Sequence, residues 1–215
     1  MNWILLLAIA VLAAVATDSR ADTPGLRPEL VDTPYLAARG IAMHFPVIGA
    51  LRIMDKRGEH LLVLTRNADL SPSRPKSPRI EHIDLVAYYY DRREGGWTTT
   101  WTIRDSVDCP GLDAAADFFT AAVSFTDLNG DGRAEVTVPY RLFCGGGIEP
   151  STVKVILRDG ATKLAIRGES TVRLPGEEPF GGEHRYDKAL LQPANATFKR
   201  HLDQIWLKVS VDTRR

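Results

Sequence analysis

Between Phe125 and Tyr140 the chain reads Phe-Thr-Asp-Leu-Asn-Gly-Asp-Gly-Arg-Ala-Glu-Val-Thr-Val-Pro-Tyr. Alternating apolar residues on both sides of a tight acidic loop predict strand, loop, strand, which commits the middle of the chain to β structure. Asp127, Asn129 and Asp131 stand two apart, so one backbone turn aims three side-chain oxygens inward. Gly132 falls where such a loop bends sharply, the place that calcium loops give to glycine. The Arg133 carbonyl and the Glu135 carboxylate complete an oxygen set suited to a hard cation. The loop is not an EF-hand, because Val138 occupies the position of the closing bidentate Glu and strands rather than helices flank it. The spacing predicts one structural Ca2+ bound by Asp127, Asn129, Asp131, Arg133 and Glu135, with affinity in about the millimolar range. The competing reading is a metal-free turn rich in Asx hydrogen bonds.

The first residues predict export. Trp3 to Ala16 is an unbroken apolar run, and Ser19-Arg20-Ala21 sets small residues at a cleavage site, so residues 1–21 read as a signal peptide. The run is shorter than the roughly 20 apolar residues of a bilayer span. No Lys or Arg precedes it, and the alternative is a buried N-terminal helix. Residues 22–215 then form one β-rich domain, a length that supports a real core. Cleavage removes Asp18 and Arg20, one charge of each sign, and the 27 basic and 27 acidic residues of the whole chain also balance. A neutral chain gives no argument for nucleic acid or an anionic membrane. No later apolar segment is long enough to be transmembrane.

Two cysteines occur, Cys109 and Cys144. In an exported chain an isolated pair forms one disulfide, and the loop it closes contains the whole acidic segment. Closing a loop of about 36 residues is worth roughly 3–4 kcal/mol on the chain-entropy model. The alternative, a catalytic or metal-binding thiol, lacks C-x-x-C spacing.

Along the chain, Thr33-Pro34 opens a short helix ending at Gly40, with Thr33 as its cap. Leu51–Met54 and Glu59–Thr65 flank Asp55-Lys56-Arg57-Gly58 as a hairpin. Residues 71–79 hold three prolines and the basic Arg74, Lys76 and Arg79, a loop that suits solvent or an anionic partner. Ile83, Leu85, Ala87 and Tyr89 share one strand face. Trp97, Thr99, Trp101 and Ile103 alternate with polar residues on the next, which makes both tryptophans one aromatic layer of the core or, alternatively, a platform for sugars. Leu112–Phe118, with three alanines, reads as a short helix. Pro139 calls for an edge strand or a bulge. Asp159-Gly160 marks a hairpin between Thr152–Leu157 and Lys163–Arg167. From about Asn195 to Val209, Phe198, Leu202, Ile205 and Val209 recur at helical spacing. The fold class that follows is mainly β (α+β): a single antiparallel β domain with a C-terminal helix packed on the sheet.

Other chemistry is sparse. The five histidines form no metal-ligand spacing, and no G-x-S-x-G elbow is present. Glu183 and Asp187, either side of His184-Arg185-Tyr186, are an acid/base pair if the chain is a carbohydrate-active hydrolase.

Phe125–Thr137, Tyr140-Arg141-Leu142, Cys144, Pro150-Ser151 and Lys163-Leu164-Ala165-Ile166-Arg167-Gly168 resemble a small family of exported bacterial proteins labelled surface polysaccharide biosynthesis proteins. The resemblance implies a cell-envelope setting and a link to surface glycans, and it supplies no catalytic residues. The expectation is a periplasmic or secreted, non-enzymatic accessory protein held by one calcium and one disulfide. Its partners would be an envelope glycan or a periplasmic protein. The alternatives are a hydrolase using Glu183 and Asp187, or a protein-binding module.

Overall fold

The computed structural model describes residues 26–70 and 80–214. The expected signal peptide, residues 1–21, and the Pro-rich basic stretch expected to be a loop, with Arg74, Lys76 and Arg79, lie outside the described residues. The first half is an antiparallel meander: β1 (Glu29–Leu30), helix α1 (Thr33–Ala37), then β2 (Val47–Asp55), β3 (Gly58–Leu70), β4 (Ile80–Arg93) and β5 (Gly96–Pro110), paired in chain order. The second sheet contains β6 (Asp113–Phe118), β7 (Ser124–Thr126), β8 (Glu135–Gly145), β9 (Thr152–Asp159) and β10 (Thr162–Glu169). A small third sheet contains β11 (Thr171–Arg173) and β12 (Phe180–Gly181). β13 (His184–Tyr186) returns to the edge of the second sheet beside β10. Helix α2 (Ala196–Val209) follows, and β14 (Val211–Thr213) closes the third sheet parallel to β11.

Burial sorts these elements into layers. Leu62, Leu64, Ile83, Leu85, Ala87, Tyr89, Trp101 and Ile103 of the first sheet meet Phe118, Phe125, Val136, Val138, Tyr140 and Ile156 of the second in one apolar core. The far side of the second sheet, Val153, Val155, Leu157, Leu164 and Ile166, is covered by Phe198, Leu202, Ile205, Trp206 and Val209 of α2. Both faces of β8–β10 are therefore dry, which is why Val153–Leu157 is nearly continuously apolar. The far side of the first sheet carries a smaller cluster, in which Leu36 and Ile41 cover Ala50, Leu61, Val63 and Tyr90. The mainly antiparallel β architecture with a packed C-terminal helix agrees with the sequence pattern. Cys109, near the end of β5, is bonded to Cys144, near the end of β8, so the disulfide ties one sheet to the other.

Four local expectations are corrected. Asp32, not Thr33, caps α1: its Oδ1 accepts from the Tyr35 N–H at 2.8 Å. The Leu112–Phe118 stretch is not a helix but β6, paired residue by residue with β8 from Asp113↔Gly145 to Phe118↔Tyr140. Its alanines mimic helix propensity, while Ala114, Ala116 and Phe118 keep a period of two toward the core. Pro139 lies in an interior strand, between β9 and the β6–β7 side. It is tolerated because its backbone faces the break between β6 and β7, where Phe119 N–H donates to its carbonyl and no ladder donor is needed from Pro139. Finally, Trp97 and Trp101 do not share a face. The register slips between Tyr89 and Tyr90, pairing Tyr89 with Trp101 but Tyr90 with Thr99. Thr100 is thus an extra residue on β5, a bulge that reverses the facing of everything before it. Trp101 joins the inter-sheet core, and Trp97 packs beside Tyr90 on the outer face.

Candidate metal loop

Residues 127–135 form the turn between β7 and β8, and their shape is set by short Asx hydrogen bonds. Asn129 Oδ1 accepts from the Asp131 N–H at 2.9 Å, and Asp131 Oδ1 accepts from the Arg133 N–H at 2.8 Å. Asp127 Oδ2 accepts from the Gly132 N–H at 3.0 Å. Gly130 and Gly132 have φ of 74° and 80°, the left-handed region where a side chain would strain the backbone. Asp127, Asn129 and Asp131 are thus gathered round one turn, as their spacing predicts.

Glu135 is placed differently from its neighbours. It is 1 % exposed, and its carboxylate faces the start of the loop. It accepts from the Leu128 N–H at 2.8 Å, the Asn129 N–H at 3.3 Å and the Thr126 hydroxyl at 2.9 Å. Burial pushes its carboxyl above the ordinary glutamate value, against the lowering effect of these donors. Among the described residues no three His, Cys, Asp or Glu side chains converge as a ready metal set. The fit to a cation rests instead on the other end of the loop. Asp127 Oδ1 is buried and has no hydrogen-bond partner. A buried carboxylate oxygen without a donor is costly unless a cation meets it. That oxygen, with the Asn129 and Asp131 side chains and the Arg133 carbonyl, is chemically suited to Ca2+.

The loop is docked on the β2–β3 hairpin. Lys56 N–H donates to the Gly132 carbonyl at 2.9 Å, and Ala134 N–H donates to Asp55 Oδ2 at 2.8 Å. A Cβ on Gly132 would come within 2.9 Å of the Lys56 side chain, so glycine also permits this close approach. Arg133 reaches Asp159 on the β9–β10 turn at 3.3 Å.

Behind the contact lies a buried polar cluster that the sequence spacing does not announce. His60 Nε2 is 2.8 Å from Asp55 Oδ1, and His60 Nδ1 is 2.8 Å from Asp91 Oδ1. The three side chains are only 4 %, 3 % and 9 % exposed, so the two hydrogen bonds are shielded from water. Arg93 closes the outer side of Asp91 at 2.6 Å. The His60 ring lies 5.4 Å from Tyr89 and nearly parallel to it, and Tyr89 stacks on Trp101 at 4.8 Å. His60 shares the inward face with Leu62 and Leu64, so a lone histidine on an apolar face was the one available signal.

Glu183 and Asp187 have different neighbours. Asp187 receives the Arg167 guanidinium, while Glu183 lines an open groove with His184 and Arg185. β13 lies between them in the chain.

Among the described residues no helix is long and apolar enough to cross a membrane. Comparison with protein-family models, with curated proteins and with solved structures finds no match to this chain.

Proposed function

We propose that this is an exported, non-enzymatic protein of the cell envelope, periplasmic or secreted, whose loop 127–135 takes one structural Ca2+. It would act as an accessory to surface polysaccharide biogenesis. The observation that carries the metal reading is the buried, unpartnered Asp127 Oδ1 at the head of an Asx-turn loop already docked on a hairpin. Ca2+ would be held by Asp127, Asn129, Asp131 and the Arg133 carbonyl, with Glu135 fixing the loop backbone from within. The ion would neutralise clustered carboxylates and stiffen the junction between the two sheets. The Cys109–Cys144 disulfide supports an oxidising compartment, because such bonds persist there. The glycan link rests on the sequence resemblance.

The test is calorimetric titration of Ca2+ into chelator-stripped protein, with melting curves alongside. Binding that raises the melting temperature and is abolished by Asp127→Ala supports the reading. No heat and no shift at millimolar Ca2+ reduces the loop to an Asx-rich turn.

A further inference from the structure

The outer face of the first sheet carries a groove unrelated to the metal loop. It has two adjoining parts of about 470 and 400 Å3 that share Arg39. Glu59 and Arg92 line the first, and Tyr90 and Trp97 line the second. The β5 bulge creates this arrangement by turning Trp97 outward beside Tyr90.

One guanidinium group in the groove is stacked on an aromatic ring and a second lies within cation–π range of another. The Arg39 guanidinium carbon lies 3.3 Å from the Tyr35 ring centroid, and Arg39 Nη1 donates to the Tyr35 carbonyl. The Arg92 guanidinium lies 5.6 Å over Trp97. Stacking fixes the plane of a guanidinium while leaving the edge N–H groups free. Among the described residues neither arginine has a carboxylate within ion-pair distance, in contrast to Arg52 and Arg93. The Trp97 indole N–H is buried and also without a partner. Glu59, held by Arg52 at 2.5 Å and by the Tyr35 hydroxyl at 3.1 Å, supplies acceptor oxygens on the same wall.

We infer that this groove binds an acidic saccharide, with a sugar carboxylate or phosphate on the forks of Arg39 and Arg92 and hydroxyl groups toward Glu59. Guanidinium forks are suited to bidentate oxyanions, and stacking on Tyr35 pre-sets that of Arg39. Ile41 and Tyr90 are only 7 % and 8 % exposed, so little of their apolar surface faces the groove. A hydroxylated, charged ligand matches what is left. The inference rests on the glycan half of the proposed function and not on Ca2+.

The experiment titrates the protein, with and without Ca2+, with tetragalacturonate, its methyl ester, glucose 1-phosphate and tetraglutamate, followed by calorimetry. Tetragalacturonate or the sugar phosphate is expected to bind, and whichever binds tighter identifies the oxyanion. The methyl ester should bind at least about tenfold more weakly than the free acid, as expected for loss of a charged hydrogen-bond pair. Arg92→Gln, at an exposed position, should weaken binding about tenfold with an unchanged melting temperature. Arg39→Gln should act in the same direction. Equal binding of acid and methyl ester, tighter binding of tetraglutamate, an unaffected Arg92→Gln, or no binding of either acidic sugar overturns the inference. Saccharide binding that persists while Ca2+ binding fails, or the reverse, separates this groove from the loop.

Discussion

Asp55 divides its carboxylate between the two sheets: Oδ1 lies 2.8 Å from His60 Nε2 on β3, and Oδ2 accepts from the Ala134 N–H at the foot of β8. This one side chain joins a buried cluster of the first sheet to the backbone of the second. Burial pushes the Asp55 carboxyl up, but the Ala134 and Arg57 N–H groups and His60 outweigh it and hold it below its ordinary value. Asp55→Ala leaves His60 and the Ala134 N–H without this partner and should cost about 3–5 kcal/mol, read from urea unfolding. A carboxyl with a lowered folded value contributes stability above its unfolded value of 3.8 and loses it as pH falls through the folded one. The parent should therefore lose stability more steeply than Asp55→Ala below about pH 3.8.

Glu135 and Asp127 should separate in their response to metal. Glu135→Gln retains a carbonyl oxygen for the loop N–H groups and removes a buried charge. It should keep Ca2+ binding within a few-fold, whereas Asp127→Ala should abolish it. Isothermal titration of both variants checks this. Equal loss in both would make Glu135 a direct ligand.

The disulfide predicts a large and separable effect. Cys109→Ser with Cys144→Ser opens a loop with a sequence separation of 35 residues. Unfolding free energy should fall by about 3–4 kcal/mol. Adding reductant to the parent should move its denaturation midpoint by a similar amount and leave the double variant unmoved.

His201 gives α2 a dependence on acidity. Its Nε2 lies 3.0 Å from the Thr137 hydroxyl and 3.3 Å from that of Ser124, which seats the helix on β7 and β8. Burial, reinforced by Lys208, lowers the histidine below its ordinary 6.5. The folded state then favours the neutral ring, so this group removes stability as pH falls from 6.5 toward the folded value. His201→Asn should melt lower than the parent at pH 7.5, and the gap should narrow by pH 5.

Gly168 sits where β10 meets β13 so closely that a Cβ would lie 2.1 Å from the Glu183 carbonyl. Gly168→Ala should detach β13 and loosen the Arg167–Asp187 pair. Hydrogen exchange at residues 184–186 should rise well before global unfolding.

The sequence carried the large features wherever one residue's neighbours decide its role. α2 is legible because Phe198, Leu202, Ile205 and Val209 repeat at helical spacing, and all four are buried. The hairpins at residues 55–58 and 159–160 are legible from turn chemistry. The Asx geometry of the acidic loop follows from its two-residue spacing. What escaped depends on distant partners. One extra threonine in Thr98-Thr99-Thr100 leaves no mark on alternation, yet it separates Trp97 from Trp101. β14 pairs with β11 across forty residues with no local signal. The contact of His60 with Asp91 exists only through the β3–β4 register, and the direction of Glu135 depends on which side of the turn holds free N–H groups.

The main β-sheets occupy successive stretches of chain, the first complete at Pro110 and the second beginning at Asp113. Their pairings are mostly between sequence neighbours, so each can assemble by itself at modest entropic cost. Cys109 belongs to one and Cys144 to the other, with Cα atoms 5.3 Å apart only in the finished arrangement. Oxidation of this pair is therefore a clock for assembly. A thiol trap applied during refolding marks the moment when two independently formed halves first lie face to face.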